Sequence, residues 1–142
     1  MAIAYFESSA LVKLIVEEEG SDLAAELWDR CDAAVSSRLA YPEVCAAIAA
    51  AARDHRFDDP RRAAAIGKWD RYWSAVRVLE LSPAVADHAG RLAGEHALRG
   101  ADAVHLASVL ALGSDGVMAV WDGRLATAAR RLGLTVVGAL TG

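Results

Sequence analysis

Four acidic side chains stand out by where they fall along the chain. Glu7 follows the short apolar run Ala2–Phe6, and Asp122 follows the run Val117–Trp121. Glu43 sits just past Pro42 in YPEVCAAI, and Asp102 just past Gly100 in RGADAVHLA. Carboxylates drawn together disfavour one another's charge unless a cation neutralises them. A donor set made of oxygen alone, with no paired histidine or cysteine, suits a hard divalent ion, Mg2+ or Mn2+. An acidic rim holding such an ion is one solution to phosphodiester hydrolysis, because the metal polarises the phosphoryl oxygen and activates a water. The pattern accommodates one ion or two.

Taken singly, Glu43, Asp102 and Asp122 are also the charges that a helix N-terminus attracts through its dipole. Their neighbours weigh against that reading. On a helix beginning near Ala101, Asp102 shares a face with His105, Leu106 and Val109, so its stripe points inward. Glu43 shares a stripe with Ala46, Ala47 and Ala50, residues small enough for close packing on a sheet. Glu7 is expected at a solvent-facing strand end, where the backbone is indifferent to the exact acid.

The elements that would carry these residues alternate. Strand-like runs at Ala2–Phe6, Ala33–Ser36, Val76–Leu81, Val117–Trp121 and Leu134–Val137 are separated by one or two helical stretches. Helix starts are marked at Ser8-Ser9, Ser21, Pro42, Asp59-Pro60 and Ser82-Pro83, and Gly133 marks a helix end. This order implies one α/β domain over residues 1–142, with a mostly parallel central sheet of about five strands and helices on both faces. In such sheets ligands bind beyond the carboxyl ends of the strands, and all four acids fall at that edge.

Composition narrows the class. The chain has 142 residues, 55% hydrophobic and 24% charged, which describes a folded chain with one core. No apolar run approaches the ~18 residues that a membrane span needs. The N-terminal segment carries Glu7 and a single early cation, Lys13, unlike a secretory signal. Cys31 and Cys45 have no metal or redox spacing and read as core residues of a cytoplasmic protein. A net charge of −4 excludes a protein that coats nucleic acid by bulk charge, so any such contact needs a local basic patch. No Gly-rich phosphate loop is present. A receiver-type phosphoacceptor domain also gathers acids at strand ends but would want a late lysine, and the only lysines are Lys13 and Lys68.

Four segments resemble the PIN-domain family, and within it the VapC-type toxins of bacterial toxin–antitoxin pairs: YFESSALVKL, SSRLAYPEVCAAI, LRGADAVHLASVL and VMAVWDGRLATAARRLGL. The resemblance spans the chain and keeps the family's order and spacing. It implies a PIN-like fold and a Mg2+- or Mn2+-dependent endoribonuclease whose site acids are Glu7, Glu43, Asp102 and Asp122, supported by the Ser9 hydroxyl. It also implies a cognate antitoxin whose tail occupies the acidic groove, and a homodimer. The chain departs from the family in one place: the first acid is Glu7 rather than aspartate, which moves the carboxylate by roughly 1 Å. A catalytically weakened or silent PIN-like RNA- or protein-binding module is therefore the alternative.

Among the basic residues, Arg99 and Arg124 lie within three residues of a site acid and are the candidates for RNA phosphates. The cluster Arg53, Arg56, Arg61 and Arg62, and the pair Arg130 and Arg131, have the same chemistry but read equally as solvated helix surface. Trp69, Tyr72 and Trp73 recur at helical spacing, as a packing stripe or as a surface for bases or a partner helix. His105 reads as a buried hydrogen-bonding group, with a proton shuttle as the sharper alternative.

Overall fold

A computed structural model describes residues 3–54, 57–113 and 116–139. The expected strand start at Ala2 and the candidate Arg56 lie outside them. In chain order the elements are β1 (Ile3–Phe6), α1 (Ser8–Ile15), α2 (Ser21–Arg30), β2 (Ala33–Ser37), α3 (Ala40–Arg53), α4 (Asp59–Ser74), β3 (Arg77–Leu79), α5 (Pro83–His96), α6 (Gly100–Leu110), β4 (Gly116–Val120), α7 (Gly123–Arg131) and β5 (Thr135–Gly138). The five strands form one sheet in the order β3-β2-β1-β4-β5, and every pairing is parallel. No described helix is long and apolar enough to cross a membrane.

Side chains alternate across a strand, and both faces of this sheet are covered, so β1 and β4 are buried on both sides. Tyr5, Met118 and Val120 face a core closed by α5, α6 and α7, with Leu92, Leu106 and Leu125 among its buried members. Ala4, Phe6 and Ala119 face a second core closed by α1 to α4, which holds Leu11, Val44, Ile48 and Trp69. The helices made before β3 therefore cover one face and those made after it cover the other. The reversal falls between β1 and β4, whose following segments leave in opposite directions. A crevice opens at the carboxyl ends of strands at such a switch.

Several local expectations are corrected. The N-cap of α1 is Glu7, not Ser8 or Ser9: its carboxylate accepts from the Ser9 N–H. The N-cap of α2 is Gly20, because the Ser21 hydroxyl is engaged with the Glu18 N–H and the Val16 carbonyl. Asp58, one residue earlier than expected, caps α4 by accepting from the Arg61 N–H. The third strand shrinks to three residues, since the Val76 N–H turns back to the Trp73 carbonyl. The buried face of α3 runs through Ala40, Val44, Ile48 and Ala51, so Ala46 is exposed and the stripe expected beside Glu43 is displaced. The ends of α5 and α6 come earlier than Leu98 and Gly113, because Ala97 and Gly113 adopt left-handed turns.

Gly20 joins fold to site. It holds φ +92, and a Cβ there would come within 2.8 Å of the Trp121 indole nitrogen, one residue before Asp122. Gly20→Ala is expected to lower stability by about 1–3 kcal/mol, from backbone strain and displacement of the indole. Gly90→Ala, within α5 and with open space around an added Cβ, is expected to raise it by up to about 1 kcal/mol. Urea denaturation of both variants checks the pair.

Candidate functional site

β1 and β4 pair in register to Phe6 and Ala119, and the Glu7 N–H extends the ladder by donating to the Ala119 carbonyl at 3.0 Å. Beyond that point the two segments are joined through Ser9. Its hydroxyl donates to Glu7 Oε2 and accepts from the Trp121 N–H at 2.8 Å. Both Ser9 donors, the N–H at 2.9 Å and the hydroxyl, meet the same glutamate oxygen. Glu7 is 5% exposed, which overturns the expectation of a solvent-facing acid: it is a buried helix cap. Burial raises its carboxyl above the ordinary value; His105 and the Ser9 donors oppose this, and neighbouring Glu43 adds to it. Ionising Glu7 thus costs stability as pH rises through that raised value.

Glu43, in the first turn of α3, is held by groups from the other layer and from α1. The Ser8 hydroxyl donates to its Oε1 at 2.6 Å, and His105 Nε2 lies 2.6 Å from the same oxygen. His105 is fully buried, and its Nδ1 lies 2.7 Å from the Tyr5 hydroxyl. A carboxylate only accepts, so Nε2 carries the hydrogen that reaches Glu43. On the other side of the ring, Nδ1 pairs with the Tyr5 hydroxyl, which burial keeps protonated. The relay runs Tyr5 to His105 to Glu43, through the sheet edge. Burial alone would raise Glu43, but the His105 and Ser8 hydrogen bonds outweigh it and hold the carboxyl below its usual range. Its stabilising contribution is present above the ordinary carboxylate value and lost as pH falls through the lowered one.

Asp102 and Asp122 complete the rim. Asp122 caps α7 by accepting from the Leu125 N–H at 3.0 Å. Asp102, in the first turn of α6, is half-buried; burial, and then the Asp122 charge, raise its carboxyl above the ordinary value against the pull of Arg99 and His105. The exposed Arg99 guanidinium approaches Asp102 to 3.7 Å. Among the described residues, no three ligating side chains already stand close enough together to hold a metal ion. The donor chemistry nonetheless fits a hard cation. The set is oxygen alone, two of its members are pushed toward the neutral acid, and among the described residues the second oxygen of Glu7 and of Glu43 has no protein donor.

The structure thus gathers Glu7, Glu43, Asp102, Asp122 and Ser9 at one edge. Arg124 is exposed on α7 and lines the same concavity as Arg131 rather than meeting an acid. Arg53, Arg61 and Arg62 are exposed near the α3–α4 junction. Trp69 is buried and stacks on Tyr41 with centroids 5.8 Å apart, while Tyr72 meets Trp28 edge-on, so the aromatic stripe is chiefly internal packing. Ser8 and Tyr5 are missing from the sequence-based set. The signals available for them were a buried strand tyrosine, whose hydroxyl needs a partner, and a histidine one turn beyond Asp102 on an apolar face.

A family model described as PIN domain matches residues 4–132. Ribonuclease VapC49 of Mycobacterium tuberculosis is 57% identical over 140 residues, covering 98% of this chain and 97% of that protein. Several solved structures share the fold. M. tuberculosis VapC20, described as a Sarcin-Ricin loop cleaving toxin, aligns with a TM-score of 0.66 at 18% identity over 88% of this chain and 94% of its own. VapBC2 from Rickettsia felis, bound to a DNA fragment from its promoter, aligns at 0.66 with 12% identity over 96% and 98%.

His105→Phe removes the ring partner of both the buried Tyr5 hydroxyl and Glu43 and is expected to cost about 2–3 kcal/mol. Tyr5→Phe is expected to cost about 1 kcal/mol. The double variant strands no polar group between these positions, so its cost should fall short of the sum by at least about 0.5 kcal/mol. Denaturation midpoints of the four proteins test this, and strict additivity would remove the hydrogen bond from the account.

Proposed function

The chain belongs to the PIN domain family, and on that premise we propose that it is the toxin of a toxin–antitoxin pair, an endoribonuclease that works as one domain over residues 1–142 with Mg2+ or Mn2+. The observation that supports this best is the rim itself. Four carboxylates from four segments meet at the sheet's switch point, and the two glutamates are each held by one oxygen only. Glu7, Glu43, Asp102 and Asp122 would hold the ion, directly or through water. When bound, such an ion supplies a Lewis acid for the phosphoryl oxygen and a more acidic water. Ser9 keeps the Glu7 carboxylate facing the rim, and Ser8 and His105 do the same for Glu43. Arg99 and Arg124 would take RNA phosphates on either side of the acids.

An antitoxin is the partner this reading requires. An arginine from its tail would satisfy excess carboxylates bidentately and so occupy the groove in place of a metal. A homodimer and a cytoplasmic location complete the proposal. Because Trp69 is buried in the fold, a partner's apolar side would meet the half-buried Tyr72 and Trp73 and the exposed Tyr41 along that stripe.

Excess EDTA is expected to abolish RNA cleavage, and Asp102→Asn to reduce it by at least about a hundredfold, the scale of losing one group that stabilises transition-state charge. Asp87→Asn, on the exposed surface of α5, should leave it unchanged. Cleavage undiminished in EDTA would overturn the metal-dependent reading. Glu7→Asp is expected to raise cleavage at saturating Mn2+, with little loss of stability because aspartate is also a strong N-cap. A rate equal to or below that of the parent would mark Glu7 as an adapted ligand. Zero activity in both folded proteins would favour the silent binding module.

A further inference from the structure

The buried side of α7 is made by Leu125, Ala126, Ala128 and Ala129, which turns Arg124, Thr127 and Arg131 toward solvent. With His96 and Ala97 at the end of α5, these residues enclose a concavity of about 670 Å³. Among the described residues no carboxylate lines it, although the chain as a whole carries a net charge of −4. Among the described residues, Arg124 and Arg131 have no acidic partner, unlike Arg99 at the neighbouring rim, which is paired with Asp102. The Thr127 hydroxyl donates to the Gly123 carbonyl at 2.8 Å, which leaves the two guanidiniums and His96 as the donors facing the space.

Both walls of this concavity run directly into the acidic rim. One wall, α7, begins immediately after Asp122. The other ends at Ala97, whose left-handed turn leads through Leu98 to Arg99 and so to Asp102. Arg124 and Arg131 are two helical turns apart, about 10 Å at 1.5 Å per residue. A polynucleotide strand in helical form carries one phosphate per ~3.4 Å of rise, so the wall is long enough to meet more than one.

We propose that the concavity between the end of α5 and the outer face of α7 seats backbone phosphates of the RNA strand flanking the cleaved bond, with Arg131 and His96 as contacts additional to Arg124. The inference rests on the ribonuclease reading. A strand whose reacting phosphate lies against the acids needs cations on the next phosphates, because the acids alone repel it. Backbone contacts of this kind position the strand without reading its bases.

The test uses fluorescence anisotropy of a labelled single-stranded RNA on the Asp102→Asn protein, over a series of salt concentrations. Adding Arg131→Gln is expected to weaken binding several-fold and to reduce the slope of log K against log salt by about 0.7, the loss of one single-strand phosphate contact. Arg131→Lys should restore most of both, and Arg91→Gln, on the exposed surface of α5, should change neither. In the Asp102-containing enzyme, Arg131→Gln should act on KM more than on kcat. Unchanged affinity and slope for Arg131→Gln and His96→Gln, in a protein whose parent cleaves RNA, would overturn the seat and leave the ribonuclease reading standing. An equal loss from Arg91→Gln would overturn it in favour of diffuse surface charge. Loss of affinity for an acidic peptide but not for RNA would overturn it in favour of a protein partner. A parent that neither binds nor cleaves RNA would remove the ribonuclease reading and this inference together.

Discussion

The hydroxyl of Ser9 joins the two strands on which the site is built. It gives its hydrogen to Glu7 and accepts one from the Trp121 amide, so the segments leaving β1 and β4 are tied just where they begin to diverge. The parallel ladder between these strands ends with the Glu7 amide on the Ala119 carbonyl. Past that bond the chain must turn into α1 on one face and α7 on the other. One small side chain therefore sets the distance between the first and last site acids. Gly20 supports the same junction from outside, because only a residue without a Cβ leaves room for the Trp121 ring.

Gathering acids at this junction creates an electrostatic cost, which the fold only partly relieves. Glu43 is relieved best, by a hydroxyl and an imidazole on one oxygen, and its carboxyl lies below the ordinary range. Glu7 and Asp102 are relieved least, and both are raised. Full relief by buried arginines would stabilise the chain but would fill the site with cations. On the proposed reading, the two raised carboxyls and, among the described residues, the two glutamate oxygens without a protein donor are the groups that an ion or a partner's arginine would engage.

On α7 the basic groups are kept apart from the acids by the same alternation that makes the helix amphipathic. In α7, buried alanines and Leu125 fix which side faces the sheet, and the arginines are left outside. The element that caps itself with Asp122 thus presents cations two turns further along. An acidic chain acquires a local positive wall without changing its net charge.

Much of this is legible in the residues themselves. The alternation of short apolar runs with helical stretches determines a parallel α/β domain, because each strand–helix–strand passage must return in the same direction. Acids directly after two of those runs, and in the first turns of two helices, are placed at one edge by that topology alone. The strand order and the burial of Glu7 are different in kind, since both depend on which helices cover which face. So does the oxygen of Glu43 that is tied down: Ser8, His105 and Tyr5 come from α1, α6 and β1 and meet only when both layers have closed on the sheet. Local spacing carries the period of a helix and the direction of a strand, but contacts between residues a hundred positions apart exist only in the packed tertiary structure.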